Sequence, residues 1–115
     1  MSSIKENDKV NEWLAALEEL GREPKKQKMA AKLHALVGMP KRRRVKVNLN
    51  KLDRVSKDGE SIIVPGKVLG EGRLTKKIRI SAVDYSESAI EKLKESKSSM
   101  VKIRDIVKGE AKIIV

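Results

Sequence analysis

The chain has 115 residues, 39% hydrophobic and 37% charged, with a formal net charge of +11, no cysteine, no phenylalanine, one tryptophan and one tyrosine. That length suits one domain around a modest aliphatic core, and the missing cysteines exclude a disulfide framework and a thiolate metal site. No apolar run reaches the length of a membrane span or a signal-peptide core, so a soluble cytoplasmic protein is expected.

Val10, Trp13, Leu14, Leu17 and Leu20 recur on one face of a 3.6-residue repeat and predict a first helix. Ser3 and Glu6 have capping-box spacing, and Gly21 is a suitable stop. Glu12, Glu18 and Glu19 make the opposite face acidic, which places Trp13 in the core. Pro24 suits the first turn of a second helix, with Met29, Leu33, Leu36 and Val37 on its apolar side. Gly38 and Pro40 end it, and His34 has no cysteine with which to build a zinc site.

Lys41 to Arg44 then form four consecutive cations. Val45, Val47 and Leu49 alternate with Lys46, Asn48 and Asn50, the period-2 pattern of a half-buried strand. Asp58-Gly59 centres a turn. Ile62–Val64 form a short buried run that Pro65-Gly66 is expected to break, followed by Val68-Leu69 and a turn at Gly70-Glu71-Gly72. Alternation resumes from Lys77 to Val83. Ser86 caps a further helix carrying Ala89, Ile90 and Leu93. Met100–Val107 suggest a short strand and a helical turn, and Ala111–Val115 a last strand. The chain divides as one domain, 1–115, with a helical region over 1–38 and a mixed α/β core over 39–115.

The charge is unevenly placed. Residues 1–23 carry net −3, residues 24–57 net +11 and residues 58–115 net +3. Positive charge so concentrated repels itself unless a polyanion neutralises it, and nucleic acid is the leading partner. The run from Lys41 to Arg44 leads directly into an ordered strand, as a phosphate-binding arm would, and guanidinium groups grip phosphate with two parallel donors.

Three glycines of "VPGKVLGEGRLTKKIRI" raise the question of a nucleotide cradle. Gly66, Gly70 and Gly72 spell G-x-x-x-G-x-G and lead into a strand, which matches neither the P-loop nor the dinucleotide fingerprint. They read as turns and points of close backbone approach, with Lys67, Arg73, Lys76 and Lys77 as contacts around them. Asp53, Asp58, Glu60, Glu71 and Asp84 show no catalytic spacing and read as turn formers and surface charges, so neither enzyme chemistry nor a cofactor is expected. Two aromatics in separate elements argue against base stacking. What remains is binding through phosphates and 2′-hydroxyls, either to a large folded RNA or in an architectural DNA or chromatin complex. The acidic first helix offers a third possibility, docking of another protein.

The segments "VNLNKLDR", "DGESIIVPGKVLGEGRLTKKIRISA" and "DYSESAIEKL" resemble the archaeal and eukaryotic large-subunit ribosomal protein eighteen family, itself related to ribosomal protein fifteen. "VPGKVLG-x-G-x-L" is the most specific part, and the compact length resembles archaeal members. The resemblance implies an α/β fold, an irregular superhelix of strand-strand-helix turns preceded by an N-terminal helical region. It implies a structural, non-enzymatic role in the ribosome: binding large-subunit rRNA beside neighbouring large-subunit proteins, with no membrane or small-molecule partner. "ESKSSM" stands where relatives often carry paired glycines after a helix. Taken together, the expected RNA contacts are Lys25, Lys26, Lys28, Lys32, Lys41, Arg42, Arg43, Arg44, Lys46, Asn48, Lys51, Arg54, Lys67, Arg73, Lys76 and Lys77. The expected structural turns are Gly59, Pro65, Gly66, Gly70 and Gly72.

Overall fold

A computed structural model describes the backbone of residues 2–115 and the side chains from Asp8 onward. In order, the elements are α1 (Ser2–Leu20), α2 (Gln27–Val37), β1 (Val45–Asn48), α3 (Leu49–Val55), β2 (Ser61–Leu69), β3 (Arg79–Tyr85), α4 (Glu87–Glu95), β4 (Ser99–Met100), α5 (Ile103–Ile106) and β5 (Lys112–Ile113). Single 3-10 turns cover Pro24–Lys26 and Lys41–Arg43. The expected Ser3–Glu6 capping box lies outside the described side chains.

Every strand pair is parallel, and β2 is the hub. β3 lies along one side of it, with β4 beyond β3. β5 and β1 share its other side end to end: β5 pairs with Ile62 and Ile63, and β1 pairs with Gly66 to Leu69. A parallel sheet needs cover on both faces. The continuous run at Ile62–Val64 answers that need, because alternate side chains point to opposite faces. Ile62 and Val64 join Leu49, Leu52, Ala89 and Leu93 in the core under α3 and α4. Ile63 joins Trp13, Leu17, Leu33, Val37 and Ile106 in a second core under α1, α2 and α5. The result is the expected α/β architecture, with N-terminal helices followed by a parallel sheet and short helices.

Two local expectations are corrected. Pro65-Gly66 does not break the strand: β2 runs through it, and the register with β3 slips between Val64 and Lys67. Proline lacks the N–H for a regular ladder and is tolerated at such a bulge. Gly66 is there for contact, because a Cβ would stand 1.9 Å from the Val45 carbonyl oxygen on β1. The alternation from Val45 also does not carry through Leu49. β1 ends at Asn48, and Leu49, Leu52 and Val55 turn one side of α3 to the core.

The other marked positions divide by cause. Gly59 and Gly72 hold positive φ, at 80° and 95°. Gly70 makes room for α4, since a Cβ would lie 2.0 Å from Ser88 Oγ. Ser86 caps α4 by accepting the Ala89 N–H at 3.2 Å. The glycine-free "ESKSSM" still closes that helix, with Lys97 in the left-handed region at φ 61°.

Gly66→Ala should therefore destabilise the protein by at least about 2 kcal/mol, since the clash is with main chain that cannot step aside. Gly109→Ala, where nothing lies within 4 Å of the added carbon, should stay within about 0.5 kcal/mol of the parent. Urea midpoints of the two variants check the contrast.

Candidate nucleic-acid interface

The cations sort into two populations. Lys26 donates to the Val107 carbonyl, and Lys51 to that of Val115. Arg44 reaches back to Val37 O at 3.2 Å through Nε and to Met39 O at 3.0 Å through its guanidinium. Lys76 donates to the carbonyls of Asp53 and Ser56, the latter at 2.7 Å. Sequence reasoning missed two more of this kind. Lys92 binds Gly70 O at 2.6 Å and Gly72 O at 2.8 Å, and Lys112 binds Val55 O at 2.7 Å.

Most of these acceptors lie at helix C-termini: Val37 for α2, Asp53, Val55 and Ser56 for α3, and Val107 for α5. The last carbonyls of a helix have no intrahelical donor and carry the negative end of its dipole, so a cation satisfies both needs. Lys26, Arg44, Lys51 and Lys76 each commit a donor to the fold. Asn48 is also turned inward in part, because its Oδ1 is buried without a hydrogen-bond partner.

The remaining candidates face outward. Lys25, Lys28 and Lys32 are exposed on α2 and its lead-in; Lys41, Arg42 and Arg43 on the 3-10 turn; Lys46 on β1; Arg54 on α3; Arg73 and Lys77 on the loop between β2 and β3. Lys67 is half-buried. Parallel register sets Lys46 beside Lys67, and Lys67 beside Asp84 of β3. Lys41, Arg44, Lys46, Lys67 and Asp84 line one shallow pocket. Among the described residues its one carboxylate, Asp84, is engaged by Lys9 at 2.7 Å and by the Tyr85 N–H at 2.9 Å. Partial burial pushes the Asp84 carboxyl up, but Lys9, the Tyr85 N–H and Lys67 together outweigh it and hold the group below its ordinary value. Four of the five charged described side chains that line the pocket are cations.

Arg73 and Lys77 ride on a second, tied-down feature. Thr75 donates to Asp53 through its N–H (2.8 Å) and hydroxyl (2.7 Å), and the Lys77 N–H binds Asp58 at 2.6 Å. The Asn50 N–H reaches Glu71 O at 3.2 Å, while Lys92 clamps the Gly70 end. Lys25 and Lys28 are not gathered with the pocket. They sit at the opposite end of α2, roughly 15 Å away along a rise of about 1.5 Å per residue.

Trp13 is buried, at 5% exposed, and Tyr85 is partly buried against the other core. The Tyr85 hydroxyl accepts the Ala82 N–H at 3.0 Å, and burial pushes its pKa up to about 12 despite that bond. Asp53, Asp58 and Glu60 each accept a backbone N–H, as turn formers do. Among the described residues no three His, Cys, Asp or Glu side chains gather as a metal site. The acidic face of α1 lies away from the pocket, with Glu19 paired to Arg104 and Glu18 Oε1 3.5 Å from His34.

A family model for ribosomal proteins 50S-L15, 50S-L18e and their 60S counterpart matches residues 14–97, a span that takes in the pocket and the anchored loop. The chain belongs to this family of large-subunit ribosomal proteins. It is similar to proteins named large ribosomal subunit protein eL18. The one from Thermoplasma volcanium is 36% identical over 110 residues, 96% of this chain and 89% of that protein. The one from Methanoregula boonei is 35% identical over 108 residues, 94% and 88%. The one from Nanoarchaeum equitans is 52% identical over 62 residues, 52% of each chain. Members are structural proteins of the ribosome rather than enzymes, and among the described residues no helix is long and apolar enough to cross a membrane.

The anchored loop carries a pH signature. The Thr75 hydroxyl, then its N–H, hold the Asp53 carboxyl below 3.8; burial pushes the other way, by more than the small added pull of Lys76. A carboxyl depressed in the folded state contributes stability above its unfolded pKa and loses it as pH falls through the folded value. The stability gap between the parent protein and Asp53→Asn should be full above pH 3.8 and close as the solution is acidified below it. Urea unfolding across a pH series measures the gap.

Proposed function

We propose that the protein is a structural constituent of the large ribosomal subunit that binds folded large-subunit rRNA mainly along its sugar-phosphate backbone. It would sit among neighbouring large-subunit proteins on the cytoplasmic ribosome. The observation that carries this reading is the outward cationic band: Arg42 and Arg43 exposed on a short turn, next to the pocket that joins Lys46 to Lys67. Phosphate contacts fix position and register, and need neither aromatic platforms nor grooves shaped for bases. Trp13 is buried in one core, and Tyr85 is half-buried with its hydroxyl tied to the Ala82 N–H, which supports backbone binding over stacking. Lys25, Lys28 and Lys32, exposed along α2 and its lead-in, would form a separate group of contacts, and Arg54, Arg73 and Lys77 would supply others around α3.

Each lysine or arginine placed on a phosphate releases counterions, so the affinity of such a protein falls steeply with salt. The double variant Arg42→Gln/Arg43→Gln should fold normally, bind large-subunit rRNA on the order of 10-fold more weakly, and lower the slope of log K against log salt by about 2. Arg44→Gln should behave differently, losing on the order of 1 kcal/mol of stability with its two hydrogen bonds to the end of α2. Filter binding across a potassium chloride series, with duplex DNA as competitor, tests the proposal. A folded double variant with an unchanged slope would remove the assignment. Equal affinity for duplex DNA and rRNA would favour an architectural DNA protein instead.

A further inference from the structure

Among the described residues Lys97 is the one non-glycine residue with a left-handed backbone, at φ 61°. It stands just past α4. The Lys97 N–H donates to Lys94 O and the Ser98 N–H to Leu93 O, each at 3.0 Å. This pair of bonds closes a helix through a left-handed residue, the position at which glycine is strongly preferred because a Cβ crowds the following carbonyl. The lysine side chain is exposed, and among the described residues its ammonium has no hydrogen-bond or ion-pair partner. A strained backbone that receives nothing back from its own side chain points to a use outside the fold.

The surroundings indicate that use. The turn is stitched to the start of β3: the Ile78 N–H binds Ser98 Oγ at 3.1 Å, the Ser99 N–H binds Ile78 O at 2.9 Å, and Ser99 pairs in register with Arg79. Lys77 and Arg79, both exposed, are thereby brought alongside Lys97, and Lys94 lies on the last turn of α4. Of the nearby carboxylates, Asp58 is turned to the Lys77 N–H at 2.6 Å and Glu60 to the Lys57 N–H at 3.1 Å rather than to an ammonium group; Glu91 and Glu95 stand on α4 with Lys94.

We propose that Lys97 is a phosphate-contact residue at the centre of a second cationic corner, formed with Lys77, Arg79 and Lys94, that grips large-subunit rRNA. The inference rests on the rRNA-binding reading above and adds a site at the far end of α4 from Ser86. Lysine keeps the position because its charge serves the complex, at the expense of the free protein.

Lys97→Gly separates the two effects, because it removes the charge and relieves the backbone together. The full chain carrying Lys97→Gly should melt roughly 4 °C higher, yet bind large-subunit rRNA several-fold more weakly, with the salt slope reduced by about 1. Lys97→Arg should keep the parent's melting temperature, affinity and slope. Wild-type affinity and slope for Lys97→Gly would overturn the proposal. So would a lowered melting temperature, which would make the lysine a support for the helix end. Arg42→Gln/Arg43→Gln, measured in parallel, tells the two failures apart. If that variant binds weakly while Lys97→Gly binds normally, only the second corner falls; if both bind normally, the rRNA reading falls with it.

Discussion

The contact between Val45 and Gly66 is the constraint on which the rest depends. With no side chain at Gly66, β1 lies against the second half of β2, where a Cβ would meet the Val45 carbonyl at 1.9 Å. That approach fixes the register that sets Lys46 beside Lys67. It also fixes where the preceding 3-10 turn must sit, because Lys41–Arg43 are separated from β1 only by Arg44. And it frees the first half of β2 for β5, so one central strand serves two neighbours on the same side. The bulge at Pro65 is the point of exchange between them, and the glycine-rich segment is best understood as this junction.

Positive charge plays two separate parts. Lys26, Arg44, Lys51, Lys76, Lys92 and Lys112 turn to main-chain carbonyls, most of them at helix ends that no N–H can satisfy. Short helices have a large share of such ends; α5 spans only Ile103–Ile106, and α3 only Leu49–Val55. A fold built from short pieces therefore has a structural use for lysine that longer helices lack. The net charge of +11 overstates what a polyanion would meet, since part of it is already neutralising helix dipoles.

Much of the scaffold was legible. The spacing of Trp13, Leu17 and Leu20, and of Leu33 and Val37, located α1 and α2, and Ser86 located the start of α4. Ile62–Val64 read as a short buried run, and it lies in β2. The errors have physical causes. Val45, Val47 and Leu49 fit a strand period, but Leu49, Leu52 and Val55 also fit a helix period, and burial decided for the helix. Proline and glycine usually punctuate, and only the arrival of β1 turned them into a bulge. For the site, the charged run was plain, whereas its division into inward and outward cations was not. The carbonyl that holds Lys26 is 81 residues away, and the one that holds Lys51 is 64 away, so no local pattern could reveal either. The left-handed lysine after α4 was equally hidden, since nothing around it departs from an ordinary helix end except the absence of glycine.

The inward cations bear on how the outward ones would act. Immobilising a lysine or arginine on binding costs side-chain and loop entropy, which subtracts from affinity. Here the segments that carry the outward charges are already fixed. Arg44 ties the basic turn to the end of α2; Lys76, Asp53 and Lys92 hold the loop bearing Arg73; and the bonds through Ser98 and Ser99 pin the start of β3. What remains to be ordered is the side chains themselves, not the backbone beneath them. Such a surface suits a partner whose phosphates are themselves held at fixed separations, as in a folded RNA, because two rigid charge patterns can match without either being remodelled. A flexible basic tail would attract any polyanion nearly equally. Cations mounted on tied-down turns would select for shape, and with Trp13 buried and Tyr85 half-buried, shape would be the main means of choosing a site on the proposed RNA.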